Sequence, residues 1–249
     1  MNISRTSGST PIVITRLAGV FYLLVIVTAP VAMAIRNRLI VSGDASASAD
    51  SLLTHEPLYR VAVAADIISS ICYLVVAALF YTLFKPVNRT LSLIAMLFSL
   101  VGVAVSTVGV VFDVAALTIL RGTPHPGSLA VQQLNELALL VVRIGMQAVN
   151  VGIVFFGCYC LSIGWLIVKS RFLPTIFGAG MVVAGLGWLS FIYQPLAAAL
   201  SPFNMISGLG EVALTAWLLI VGLDVSQWTG QVDAHGGNVQ LDRSAKNCS

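Results

Sequence analysis

The chain alternates long apolar runs with short polar interruptions. Six runs, residues 17–35, 61–84, 91–120, 141–168, 175–200 and 203–223, carry very little charge from end to end. Each reaches the ~20 residues that an α-helix needs to cross the ~30 Å hydrocarbon core of a bilayer. The third and fourth exceed that need, so they are expected to tilt or to project beyond the lipid. The pattern predicts an all-α fold: a polytopic membrane helix bundle with six transmembrane helices over 17–223. It is flanked by a short N-terminal segment, 1–16, and by a polar tail over 224–249 that is expected to be disordered.

The interruptions have their own chemistry. KPVNR at 85–89 and KSRFLP at 169–174 each hold two basic residues and a proline. The longest connection, 37–60, contains SGDASASADSLLTHEPLYR. There Asp44 or Ser46 can cap a short amphipathic helix, and Pro57 marks its junction with the second span.

Composition narrows the class. Hydrophobic residues fill 58% of the 249 positions and charged residues only 9%, against roughly 25% charged in soluble domains. Together with a mean hydropathy of +0.96, this excludes a soluble globular protein and makes the lipid bilayer the expected partner. The net charge of +3 is scattered between the runs, so it reads as a topology signal and not as a nucleic-acid footprint. Beside the spans, Arg5, Arg16, Lys85, Arg89, Lys169, Arg171, Arg243 and Lys246 fall on one side, and Arg36, Arg38, Arg60 and Arg121 on the other. The richer side is expected to be cytoplasmic, with both termini there, in a bacterial inner membrane. A basic start and Ala32-Met33-Ala34 would also fit a cleaved signal peptide, but the first run is span-length and the leader would exceed the usual ~15–30 residues.

Polar residues inside the runs are the candidate chemistry. Arg143, Gln147 and Asn150 are spaced i, i+4, i+7 and share one helix face, which Glu136 extends. In the third run Ser99, Gly102, Ser106, Gly109 and Asp113 form a small-residue seam ending in a carboxylate. Asp66, Ser70 and Tyr73 repeat the pattern in the second run, Gln194 lies in the fifth, and Glu211 stands alone in the sixth. An ionisable group at the bilayer midplane costs at least ~2.5–3.5 kcal/mol, so such groups face protein or a water-filled cavity. The expectation is an outward-facing polar vestibule bounded by Asp66, Asp113, Arg143, Gln147, Asn150, Gln194 and Glu211, with Arg143 paired to Asp113 or Asp66. The alternative is that buried charges serve only helix packing.

Other chemistries are set aside. His55, His125 and His235 fall in loops or the tail, so haem ligation and a base for an intramembrane serine nucleophile are both lacking. HEPLY at 55–59 lacks the second histidine of a zinc-protease motif. Cys158 and Cys160 point about 200° apart on a helix and cannot share an ion. Asp66 and Asp113 could form a proton-sharing dyad, but VAAD and VVFD lack the glycine-aspartate signature of intramembrane aspartyl proteases. No metal, no cofactor and no catalysis is expected.

RLAGVFYLLVIV at 16–27, KPVNRTLSLIAMLFSLV at 85–101, VFFGCYCLSIGWLIVKSRFLPTIFGAGMVVAGLGWL at 154–189 and GEVALTAWLLIVGL at 210–223 together resemble an uncharacterised bacterial multi-pass membrane family known only as a domain of unknown function (DUF 4386). The resemblance covers nearly the whole chain apart from the tail. It implies no activity, substrate or catalytic residue. Two function classes therefore stay open: binding or translocation of a small solute, cation or proton, and a non-catalytic structural or partner-binding membrane component.

Overall fold

A computed structural model describes residues 9–41, 43–122 and 130–234. His125, His235, Arg5, Arg243, Lys246, Cys248 and the expected tail beyond 234 lie outside the described residues. Among the described residues there is no strand. The helices are α1 (Ser9–Leu39), α2 (Ala45–Thr54), α3 (Glu56–Phe84), α4 (Arg89–Leu120), α5 (Val131–Lys169), α6 (Thr175–Leu189), α7 (Gln194–Ala199) and α8 (Ser201–Ile220), followed by α9 over 225–234. Six segments are long and apolar enough to cross a membrane. The protein is therefore a multi-pass membrane protein in a lipid environment.

Local signals explain most boundaries. The Asp44 side chain accepts from the Ala47 amide at 2.9 Å and starts α2, and Asn88 does the same for α4 through Leu91 at 2.9 Å. Pro57 sits in the first turn of α3, where its missing N–H is harmless. The expected fifth run, 175–200, is not one helix. α6 gives way to a 3-10 turn at Ser190–Ile192 and an extended Tyr193, after which Pro195 opens α7 and Pro202 opens α8. A proline is tolerated in a first helical turn and not in an interior, so each starts a new helix instead of extending the old one.

The tail also departs from expectation, because 225–234 is helical. Asp224 accepts from the Ser226 hydroxyl at 2.6 Å and from the Gln227 amide at 3.1 Å, bonds that hold its carboxyl below the usual carboxylate range. The Trp228 indole donates to the Leu83 carbonyl at 3.1 Å, and the Asp224 amide donates to the Phe172 carbonyl at 3.1 Å. A polar composition does not reveal two anchors of this kind.

The long helices pack in a closed circuit: α1 on α3, α3 on α4, α4 on α5, α5 on α6, α6 on α8, and α8 back on α1. The interior of this ring is filled by Tyr22, Tyr73, Phe80, Phe84, Tyr159 and Ile163, all nearly or fully buried. Three of the contacts are made through glycine. A Cβ on Gly109 would lie 2.8 Å from the Gly145 carbonyl, one on Gly164 2.8 Å from the Gly178 carbonyl, and one on Gly210 2.9 Å from the Gly180 carbonyl. Backbones approach this closely only where side chains are missing.

α6 ends with Leu189 beside Gly157, while α5 continues to Val131, a further ~39 Å at 1.5 Å per residue. Opposite the ends that carry Ser9 and Ile220, α1, α3, α4 and α5 therefore extend beyond α6. There α2 touches all four of those helices, and Leu52 packs with Leu39, Tyr59 and Leu117.

The glycine contacts generate a prediction. A Cβ on Gly178 would meet the Gly164 carbonyl at 2.7 Å, whereas one on Gly208 meets nothing within 4 Å. Gly178→Ala should lower stability by about 1–3 kcal/mol through overpacking. Gly208→Ala should leave it unchanged or raise it by about 0.5–1 kcal/mol. Unfolding in mixed detergent micelles distinguishes the two, and equal losses would contradict the packing described.

Candidate functional site

Two polar clusters lie inside the bundle. The first joins α1, α3 and α4 in the extension. Arg36, in the last turns of α1, donates to Asp113 Oδ2 from Nε at 3.0 Å and from Nη2 at 2.7 Å. Its Nη2 also contacts Asp66 Oδ2 directly. Tyr59 donates its hydroxyl to the other oxygen of Asp113 at 2.7 Å. Asp113 is buried, and the Arg36 and Asp66 side chains keep 15% and 21% of their surface. One guanidinium thus serves two carboxylates, and the more exposed of the two is Asp66. A rim lies nearby on the same helices, where Glu56 accepts from Arg60 Nε at 2.7 Å and Arg121 Nε at 2.9 Å.

The second cluster surrounds Glu211 on α8. Its Oε2 accepts from the Tyr22 hydroxyl at 3.0 Å, and its Oε1 from the Trp188 indole at 2.6 Å. Glu211 is buried and takes part in no ion pair among the described residues. The surrounding rings pack edge to face, Tyr22 on Tyr73 at 6.4 Å and Tyr73 on Tyr159 at 5.4 Å between centroids. From Tyr22 to Arg36 is fourteen residues of α1, so the clusters are stacked roughly 21 Å apart along that helix.

The expected vestibule divides accordingly. Asp66 and Asp113 come together, and Glu211 lies inside the bundle at its own level. The expected Arg143 pairing is corrected. Arg143 and Gln147 are exposed on α5, Asn150 reaches only Gln147 on the same helix at 3.5 Å, and Gln194 is exposed at the start of α7. The cause is the glycine seam. Gly145 and Gly152 face α4, and Arg143 and Asn150, each two residues earlier, point about 200° away from them.

Arg36 and Tyr59 are the residues that sequence reasoning missed. Ending the first span at 35 left Arg36 in a loop, but α1 continues to Leu39 and carries the guanidinium inward. The available signal was two carboxylates on the second and third runs with a basic residue, Arg36, directly after the first.

A model of the family described as "Domain of unknown function (DUF4386)" matches residues 17–222. An uncharacterised protein of Archaeoglobus fulgidus is similar, at 24% identity over 152 residues, which are 61% of this chain and 78% of that protein. No solved structure matches.

The geometry predicts which arginine matters for stability. Removing one partner of a buried ion pair costs about 3–5 kcal/mol, because it strands the other charge. Arg36→Ala and Asp113→Ala should each lose that much, with the double variant losing far less than the sum. Arg143→Ala should stay within about 0.5 kcal/mol, as exposed positions do. A double-mutant cycle by detergent unfolding measures this, and additive losses would break the pairing.

Proposed function

The chain belongs to the family of the domain of unknown function DUF4386, and from that premise we propose that it binds a small cation or a proton inside its helix ring and exchanges it through a polar mouth. The mouth is built by Arg36, Asp66, Asp113 and Tyr59. By the distribution of Lys and Arg it faces the extracytoplasmic side of a bacterial inner membrane, with both termini in the cytoplasm. The role is binding or translocation, not catalysis.

The observation that carries this reading is the imbalance of charge. Arg36 sits opposite Asp66 and Asp113, and Glu211 lies deeper, bonded only to the neutral donors Tyr22 and Trp188. A packing device needs one carboxylate per guanidinium. Further buried carboxylates are costly in an apolar bundle unless a mobile positive charge joins them. Asp66 is the most exposed acid of the first cluster, so a cation arriving from the mouth would meet it first.

A second reading is a purely structural clamp. It draws support from the direct contact of Arg36 with both carboxylates, which ties α1, α3 and α4 together at the same end.

Flux separates the two readings. In proteoliposomes, the wild type should carry a monovalent-cation or proton flux, read with ion-selective dyes. Asp66→Asn should reduce that flux roughly tenfold or more, the equivalent of about 1.4 kcal/mol. Flux equal to that of empty liposomes across protons, alkali cations and small amines, in a folded sample, would leave only the structural clamp.

A further inference from the structure

Glu211 on α8 is bonded by Tyr22 of α1 and Trp188 of α6 and has Tyr73 of α3 and Tyr159 and Cys160 of α5 as electrostatic neighbours, while Ser99 of α4 belongs to this level by register. Helix register brings Ser99 to this level. A Cβ on Gly102 would meet Phe155 and Phe156, so Ser99, about 4.5 Å further along antiparallel α4, lies level with Tyr159. On the other side, the Ser92 hydroxyl donates to the Tyr81 carbonyl at 3.2 Å. Seven residues on from Ser92 is Ser99 and eight back from Tyr81 is Tyr73, which puts the two at about the same level.

The layer is unequal in its hydrogen bonds. Tyr22 and Trp188 donate to Glu211 and so orient it. Tyr73, Ser99 and Tyr159 do not. Their hydroxyl oxygens are buried and none bonds Glu211; the Tyr73 and Tyr159 hydroxyls interact with each other, short of ordinary hydrogen-bond geometry. Tyr159 and Ser99 are 0% and 1% exposed and Tyr73 7%. Tyr73 and Tyr159 are also electrostatic neighbours of Glu211. Three buried hydroxyls that lack a hydrogen bond of ordinary geometry, beside a buried carboxylate held by two neutral donors, form an arrangement that needs an explanation, since buried polar atoms are ordinarily satisfied by protein, water or an ion.

We propose that this layer is a binding site for one dehydrated hard monovalent cation of the sodium class, held by the Glu211 carboxylate and the hydroxyl oxygens of Tyr73, Tyr159 and Ser99. The donor set decides the chemistry. The proposed ligands are oxygens, which suit hard cations and not the thiolate- and imidazole-seeking metals; the buried Cys160 thiol beside Glu211 offers only a weak acceptor to such an ion. The set holds a single carboxylate, so a monovalent ion leaves the layer neutral, whereas calcium sites gather several carboxylates and carbonyls. The rings that carry the hydroxyls are in contact, with Phe156 5.1 Å from Tyr73 and 5.8 Å from Trp188 between centroids, which admits a bare ion more readily than an organic amine. Tyr22 and Trp188 act as positioning residues that fix the carboxylate. This site rests on the cation-or-proton reading above and names where the ion is held.

The test uses the full chain in lipid nanodiscs at fixed pH and constant ionic strength, with sodium chloride as probe and choline chloride as the balancing salt. Equilibrium binding of radiolabelled sodium and intrinsic tryptophan fluorescence are read together, because Trp188 bonds the proposed ligand. Sodium should bind saturably with a matching fluorescence change, and choline should not compete. Glu211→Gln should weaken binding at least roughly 100-fold. Tyr73→Phe and Tyr159→Phe, which keep the ring packing and remove one oxygen each, should weaken it roughly tenfold, in line with hydrogen bonds to charged groups. If Glu211→Gln fails to fold, the two Phe variants still decide the matter. Undiminished sodium binding in all three variants overturns the site. A pH jump that elicits proton uptake dependent on Glu211, with no sodium binding, overturns this inference and leaves the broader reading standing. Absence of both signals removes both.

Discussion

Backbone contact between neighbouring helices, made where paired glycines remove the side chains, is the constraint on which the rest of this structure depends. Gly109 against Gly145, Gly164 against Gly178 and Gly180 against Gly210 set the rotation of α4, α5, α6 and α8 about their own axes. Apolar burial gives little orientation in lipid, where an outward-facing leucine is as comfortable as an inward-facing one. Close approach does. Once the seam is chosen, every polar residue on those helices has its direction assigned, including Glu211, the residue after Gly210.

The same constraint explains why the most polar stripe of the sequence is not the interior. Arg143, Gln147 and Asn150 share a face, as their spacing requires, but periodicity specifies a face and not its direction. On α5 the glycines occupy the other side, and they win because a helix cannot approach a neighbour closely through an arginine. Asp113 shows the converse case. It continues the same α4 face as Gly102 and Gly109, so packing that seam delivers the carboxylate into the bundle. There Arg36 and Tyr59 satisfy both of its oxygens.

How much could be read beforehand follows from this. The six spans, the Asp44 cap and the Pro57 junction are local properties and were legible. So was the interior placement of the carboxylates Asp66, Asp113 and Glu211, which are costly to leave against lipid, although the same cost did not turn Arg143 inward. The pairing was not legible. It depends on how far α1 extends past its apolar stretch and on which helices become neighbours, and neither is encoded in any single window. The break of the fifth run at Tyr193 was available in Pro195 and Pro202. The docking of α9 through Trp228 and Asp224 rests on contacts with α3 and with the loop at Phe172, remote in sequence.

Length mismatch organises the remaining physics. α6 is short and α5 is very long, and the two can meet only over the part they share, where Gly164 meets Gly178 and the Glu211 layer is found; the Gly109–Gly145 contact of α4 and α5 lies beyond it. Beyond it the bundle has lost two walls, and α2 covers what α6 and α8 do not reach. A charged cluster suits that thinner region. Arg36 and Asp66 retain some exposure there, which softens the desolvation that makes fully buried ion pairs expensive. Glu211 has no such relief, since it is buried and oriented by two neutral donors. The two clusters therefore solve different electrostatic problems. The distal one sets one guanidinium against two carboxylates, and the deeper one holds a single carboxylate with two neutral donors.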